Sequence, residues 1–173
     1  MNLNTQNTKL LQKETAKFLA EIDVKYFVTL HFRSTTNKNK AREVVKTFLK
    51  KLEVSLFGAR SKKSIISVSF IEKNSYDESF HVHILFGKPE FKKSANQEDE
   101  IYEFKKLVKT TWLESDPTTA IKELKLKSDS SLWFKEIDDR VNICNYLCKQ
   151  ITTGNEDVVE WDLINKDGRR KAS

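Results

Sequence analysis

Residues 80–87 read FHVHILFG, two histidines placed two positions apart inside an otherwise apolar run. Strand side chains alternate between faces, so His81 and His83 project together while Phe80, Val82, Ile84 and Phe86 form a core row on the other side. Two imidazoles side by side on rigid backbone are half of a metal site. KNSYDES (73–79) reads as a turn, which makes IISVSFIE (65–72) the hairpin partner of the histidine strand.

Working outward, VKYFVTLHFR (24–33) is a further strand, with Tyr26, Val28, Leu30 and Phe32 facing one way and Thr29, His31 and Arg33 the other. STTNKNKAR (34–42) reads as a polar loop. Four helices are expected. The first spans 5–21, anchored by Leu10, Leu11, Phe18 and Leu19. The second starts at Arg42 and turns Val44, Val45, Phe48, Leu49, Leu52 and Leu56 inward. A third covers 97–115, opened by acidic residues that suit the helix dipole. The fourth covers 139–152, with Asp138 as its cap. Part of TTAIKELKLKSDSS (118–131) and SLWFKEI (131–137) are strand candidates, and the tail from Gly154 is expected to be poorly ordered. Strands separated by helices, with one hairpin, predict an α+β fold: one domain over 1–153 with helices against an antiparallel sheet.

The 173 residues are 38% hydrophobic, enough for one full core. Lys and Arg outnumber Asp and Glu by 31 to 25, a net charge of +6 that permits a nucleic-acid partner without demanding one. No apolar run approaches the roughly 20 residues of a membrane span, and MNLNTQNTKL does not read as a signal peptide. Cys144 and Cys148 are the only cysteines, too few for a disulfide framework or a four-ligand zinc site, and read as packed thiols. No G-x-x-x-x-G-K-[ST] occurs, so the chain carries no P-loop motor.

The chain holds three histidines, His31, His81 and His83, all in predicted strands. NYLCKQ (145–150) adds Tyr146 and Lys149 at i and i+3 on one helix face. Asn142 and Gln150 join that stripe, while Ile143 and Leu147 point toward packing. Taken alone, such a tyrosine is a structural residue; the polar stripe around it is unusual for a buried helix.

Together these segments resemble the HUH endonuclease superfamily, in particular the rolling-circle replication initiators of plasmids and small DNA viruses. YFVTLHF is similar to the first motif of those proteins, HVHILFG to the His-hydrophobic-His second motif, and YLCKQ to the Tyr-x-x-Lys third motif. The ordered trio runs from Tyr26 to Gln150. The resemblance implies a five-stranded, ferredoxin-like sheet with the histidines on a central strand, and a metal-dependent enzyme that nicks and rejoins DNA. Tyr146 would attack a phosphodiester to form a covalent 5′-phosphotyrosine, with Lys149 stabilising phosphate charge or the tyrosinate. His81, His83 and one oxygen ligand would hold a divalent ion, Mn²⁺ or Mg²⁺.

For the third ligand the resemblance offers two residues. Replication initiators often use a glutamate on the paired strand, here Glu72; single-tyrosine transposases of the same superfamily use a glutamine four residues after the tyrosine, here Gln150. Alternation puts Glu72 in phase with Ile66, Val68 and Phe70, so a bulge near Phe70–Glu72 is expected to bring it to the histidines. His31, Arg33 and Asn142 are candidate nucleic-acid contacts; His31 and Arg33 could equally be ordinary polar residues of a half-exposed sheet. The basic runs Lys38–Arg42, Arg60–Lys63, Lys88–Lys93 and Lys122–Lys127 could line a DNA path, and Tyr76, Trp112 and Trp133 could stack on bases, although core positions suit the tryptophans better.

The expected partner is single-stranded DNA or a DNA hairpin at a replication origin; the absent motor suggests either a truncated initiator whose helicase domain is missing or a small initiator that borrows a host helicase. The expected compartment is the cytoplasm of a bacterial or archaeal host, or the nucleus for a eukaryotic virus. The alternatives are a single-tyrosine transposase and a non-catalytic nucleic-acid-binding module on a ferredoxin-like sheet.

Overall fold

The computed structural model describes residues 3–34, 36–73, 79–91, 97–121, 133–152 and 155–169. In chain order the elements are α1 (Leu3–Ala20), β1 (Tyr26–Phe32), α2 (Lys38–Phe57), β2 (Ser67–Lys73), β3 (Phe80–Phe86), α3 (Gln97–Leu113), β4 (Thr119–Ala120), β5 (Phe134–Glu136) and α4 (Arg140–Cys148). β3 pairs with β2 from Ser67↔Phe86 to Lys73↔Phe80, and with β1 from Tyr26↔Phe86 to His31↔His81. β4 and β5 share the other edge of β1, beside His31–Phe32 and Tyr26–Val28 respectively. Every pairing is antiparallel, so the α+β fold with a five-stranded antiparallel sheet is the observed architecture, and the histidine strand lies inside it.

Both faces of the sheet are covered, each by one pair of helices. The row Tyr26, Val28, Leu30 and Phe32 joins Ile71, Val82, Ile84 and Phe86 under α2 and α3, which contribute Val44, Phe48, Leu52, Phe104 and Trp112. On the opposite face Phe27, Val68, Phe70 and Leu85 lie under α1 and α4, through Ala16, Leu19, Cys144, Leu147 and Cys148. The buried cysteine thiols are pushed up by desolvation, to about 11 for Cys144 and about 12 for Cys148, as packed thiols should be. Trp112 donates its indole N–H to the carbonyls of His31 (3.2 Å) and Ala120 (3.0 Å), which ties β4 to the end of β1. At the far end of β3, a Cβ on Gly87 would lie 2.7 Å from Cβ of Ile66, so only glycine fits where the chain leaves the strand. No helix among the described residues is long and apolar enough to cross a membrane.

Four sequence expectations need correction. α2 starts at Lys38, because Asn37 accepts a hydrogen bond from the Lys40 amide (2.8 Å) and caps a helix where a loop was expected. α4 is capped by Asp139, which accepts from the Asn142 amide, and not by Asp138; it ends at Cys148, before the predicted end at 152. In α1, Leu10, Leu11 and Phe18 are exposed, and the buried stripe is Thr15, Ala16 and Leu19. Small residues let α1 approach α4 closely, so helix contact overrides the preference for burying the bulkiest side chains.

The fourth correction concerns the C-terminal segment, which was expected to be a loose tail. Residues 155–169 instead run along the outer edge of β2. Val159 bridges Phe70, Asn165 bridges Ser67 and Arg169 bridges Lys63. The amides of Glu160 and Asn165 donate to the carbonyls of Ser69 and Ser67, both at 2.9 Å, and Val158 and Val159 are buried. An open strand edge is a pairing hazard, and this segment covers it. The basic run at the start of α2 holds it in place. Lys38 pairs with Asp157 (2.6 Å), and Arg42 pairs with Glu160 (2.8 Å) and Asp162. Burial raises the carboxyl of Glu160, and the Arg42 and Lys38 charges pull it back. Lys38–Arg42 is therefore engaged in holding the fold, with Lys40 also paired to Asp116.

Candidate active site

The register of the three inner strands assembles the site. His81 faces Glu72 on β2 and His31 on β1, while His83 faces Phe70 and Thr29. Glu72 is thus in phase with Val68 and Phe70, as alternation says, and that is the histidine face. The pairing from Ser67 to Lys73 is continuous, so the expected bulge is absent. Val68 and Phe70 pair with Leu85 and His83 and so share the histidine face, and no bulge is needed. With a core on each side of the sheet, one face is apolar under α1 and α4 and polar at its open end.

Oε2 of Glu72 lies 3.3 Å from Nε2 of His81 and 3.4 Å from Nε2 of His83. Adjacent oxygen and nitrogen ligands around one small divalent ion, each about 2.1 Å from it, sit about 3 Å apart. The separations therefore fit a shared cation with little rearrangement. Glu72 and His83 are buried and His81 is partly open, which leaves one side of the group accessible. The other carboxylate oxygen of Glu72, Oε1, is buried without a hydrogen-bond partner. A buried carboxylate oxygen with no partner is costly unless something positive meets it. The donor set and this orphaned oxygen both fit a divalent ion, and among the described residues this buried group could bind one.

Burial alone would push the Glu72 carboxyl up, but hydrogen bonding to His81 and His83 and their charges outweigh it and hold the group at about 2. A carboxyl lowered on folding adds stability above its unfolded value, near 4.3, and loses it as pH falls through the folded one. In metal-free protein, the melting-temperature difference between wild type and Glu72→Gln should therefore be fully present at about pH 5 and shrink toward about pH 2. A difference that stays constant over that range would refute the ion-paired carboxylate.

Behind the ligands, Oγ1 of Thr29 lies 3.0 Å from Nδ1 of His83, and the Phe27 ring stacks on the His83 ring at 5.1 Å. With the proton on Nδ1 donated to Thr29, Nε2 keeps its lone pair directed at the site, the tautomer a metal ligand needs. Thr29→Val should weaken Mn²⁺ binding about 10- to 100-fold, whereas Thr29→Ser should retain it, as read by titration calorimetry. Equal affinities for the three proteins would remove this role. Thr29 was visible in sequence only as sharing a face with His31; its partner required the strand register.

Asn142, Tyr146, Lys149 and Gln150 are all exposed, while Cys144, Leu147 and Cys148 of α4 are buried. Asn142 is occupied at the helix start, where it donates through Nδ2 to Oδ2 of Asp139 at 2.6 Å. Gln150 lies beyond the end of α4 in a turn, exposed, so Glu72 is the residue brought to the histidine pair. Tyr146 is 52% exposed, and no hydrogen bond links it to Glu72, His81 or His83. Its helix nevertheless lies over the triad face. α4 begins beside the start of β1, where Arg140 pairs with Asp23 (2.7 Å). Past its end, Ile151 packs with Val158 and Val159, and Val159 bridges Phe70, the residue opposite His83. The helix thus runs toward the triad. Of the other tyrosines, Tyr26 is buried, Tyr102 lies on α3 across the sheet, and Tyr76 falls outside the described residues.

His31 stacks near His81, with ring centroids 6.1 Å apart, while exposed Arg33 donates to the Thr119 carbonyl at 2.9 Å. Trp112 and Trp133 are core residues and cannot stack on bases. Lys63 pairs with Glu90, and Lys88 with Glu100 at 3.0 Å; Lys122–Lys127, Lys92 and Lys93 fall outside the described residues. No protein-family model, curated protein or solved structure matches this chain.

Proposed function

We propose that this protein is a metal-dependent DNA nicking and strand-joining endonuclease of the HUH type, acting at a replication origin through Tyr146. The observation that carries the reading is the Glu72–His81–His83 group, with Oε2 within 3.4 Å of both Nε2 atoms on the sheet face that α4 covers. A divalent ion bound there would neutralise and polarise a phosphodiester. The residues of the chain do the rest. The Tyr146 hydroxyl gives up its proton and attacks phosphorus in line. The Tyr–O–P bond forms, the P–O3′ bond breaks, and the departing 3′-oxygen takes a proton. Lys149, just past the last turn of α4, offsets charge on the phosphate or the tyrosinate. Reversal by a 3′-hydroxyl rejoins a strand, because the phosphotyrosine keeps the bond energy. The half-exposed position of Tyr146 leaves its hydroxyl open to substrate.

The reading takes single-stranded DNA or an origin hairpin as substrate and Mn²⁺ or Mg²⁺ as cofactor. Glu72, whose carboxylate lies against both histidines, supports the replication-initiator ligand set over the Gln150 set of a single-tyrosine transposase. The test is incubation with 5′-labelled and 3′-labelled single-stranded DNA pools and Mn²⁺, followed by denaturing protein gels. A metal-dependent covalent band carrying the 3′-labelled fragment supports the reading. DNA binding without any adduct, unaffected by loss of His81 and His83, would leave a non-catalytic binding module.

A further inference from the structure

α1 exposes Phe18 (37%) beside Trp161 (47%), with ring centroids 6.2 Å apart. Two large aromatics left open side by side need an explanation, because burying either would have stabilised the fold. They form the wall of a groove of about 380 Å³ whose other lining residues include Ile164, Lys166, Asp167 and Arg169. Neither Lys166 nor the Arg169 guanidinium is paired with an acid among the described residues, unlike Lys38, Lys40 and Arg42 nearby in the fold. The groove's position is set by the C-terminal segment. That segment leaves the triad end of β2 at Val159↔Phe70 and reaches the far end at Lys63↔Arg169. Phe18 comes from the helix that covers the triad face. A path from the triad along the outer edge of β2 therefore meets Trp161 first and the two cations afterward.

We infer that this groove is a subsite for the single-stranded nucleic acid flanking the cut, with one base stacked on Phe18 and Trp161 and its phosphates on Lys166 and Arg169. Aromatic platforms beside free cations are how proteins hold single strands without reading sequence. The +6 charge of the chain has the sign such a ligand requires. Asp167, the acid in the wall, is outnumbered by the two cations. The inference rests on the nuclease reading for its purpose but not for its test.

Because Trp112 and Trp133 are buried, tryptophan quenching by an added strand reports Trp161. The full chain is titrated with oligo(dT) in EDTA, so that no cleavage occurs. The expected result is quenching in the wild type and binding about 5- to 100-fold weaker in Trp161→Leu and in Phe18→Leu. Lys166→Ala and Arg169→Ala should each lower the slope of log affinity against log salt by about 0.7. The same quenching should persist in His81→Ala/His83→Ala and Tyr146→Phe, so failure of the nuclease reading would leave this result intact. No quenching, or unchanged affinity and salt slope in all four groove variants, overturns the subsite. So does a wild-type dimer in sedimentation that Trp161→Leu dissociates, which would assign the aromatics to self-association.

Discussion

Tyr146→Phe should abolish the covalent protein–DNA adduct and lower nicking by at least about 10³-fold, the scale on which removing a nucleophile acts. The loss is absolute for the adduct, since phenylalanine has no oxygen to form the bond. Metal affinity and melting temperature should not change, because the side chain is half exposed and makes no hydrogen bond with the ligand residues. That separation gives the test its force. An inactive variant with normal Mn²⁺ binding and normal stability identifies a group that acts on substrate. An adduct that persists in Tyr146→Phe would place the nucleophile elsewhere; Tyr102 is a poor substitute, being on a helix across the sheet. Lys149→Met should act more weakly, slowing nicking while the adduct still forms, since charge stabilisation can be supplied in part by other groups.

Glu72→Ala should have the second-largest effect, on metal rather than on chemistry directly. Groups that only orient a ligand typically cost 10–100-fold in affinity when removed, so loss of the one oxygen donor should cost at least about 100-fold. The effect can be read without any DNA. At a Mn²⁺ concentration a hundredfold above its dissociation constant, binding stabilises the wild type by about 2.7 kcal/mol. For a domain of this size that raises the melting temperature by roughly 5–10 °C. Glu72→Ala should show no such rise at the same concentration, and Gln150→Ala should show the full rise. A rise retained in Glu72→Ala and lost in Gln150→Ala would reverse the assignment of the third ligand.

Much of this arrangement could be read directly from residue order. Alternation in FHVHILFG placed His81 and His83 together and Phe80, Val82, Ile84 and Phe86 opposite them, as found in the sheet. The inward stripe of α2 follows the 3.6-residue period, with Val44, Val45, Phe48, Leu49 and Leu52 buried. What failed were judgements that depend on which surface each residue meets. α1 carries Leu10, Leu11 and Phe18 outward because its neighbour α4 accepts the smaller Thr15–Ala16–Leu19 side. Residues 155–169 have no period to read, and they gain order from backbone hydrogen bonds with Ser67 and Ser69 of β2 and from Lys38 and Arg42, far away in the chain.

Sequence alone determined the pairing of the two histidines and the α+β class, since alternation and helical period are local properties of the backbone. Only the tertiary structure decided that Glu72 stands across from His81 without a bulge, that Thr29 backs His83, and that α4 ends at Cys148, before Gln150. Those relations are set by strand register and by where a helix ends. Both are fixed by contacts between segments tens of residues apart, which no single stretch of the chain encodes.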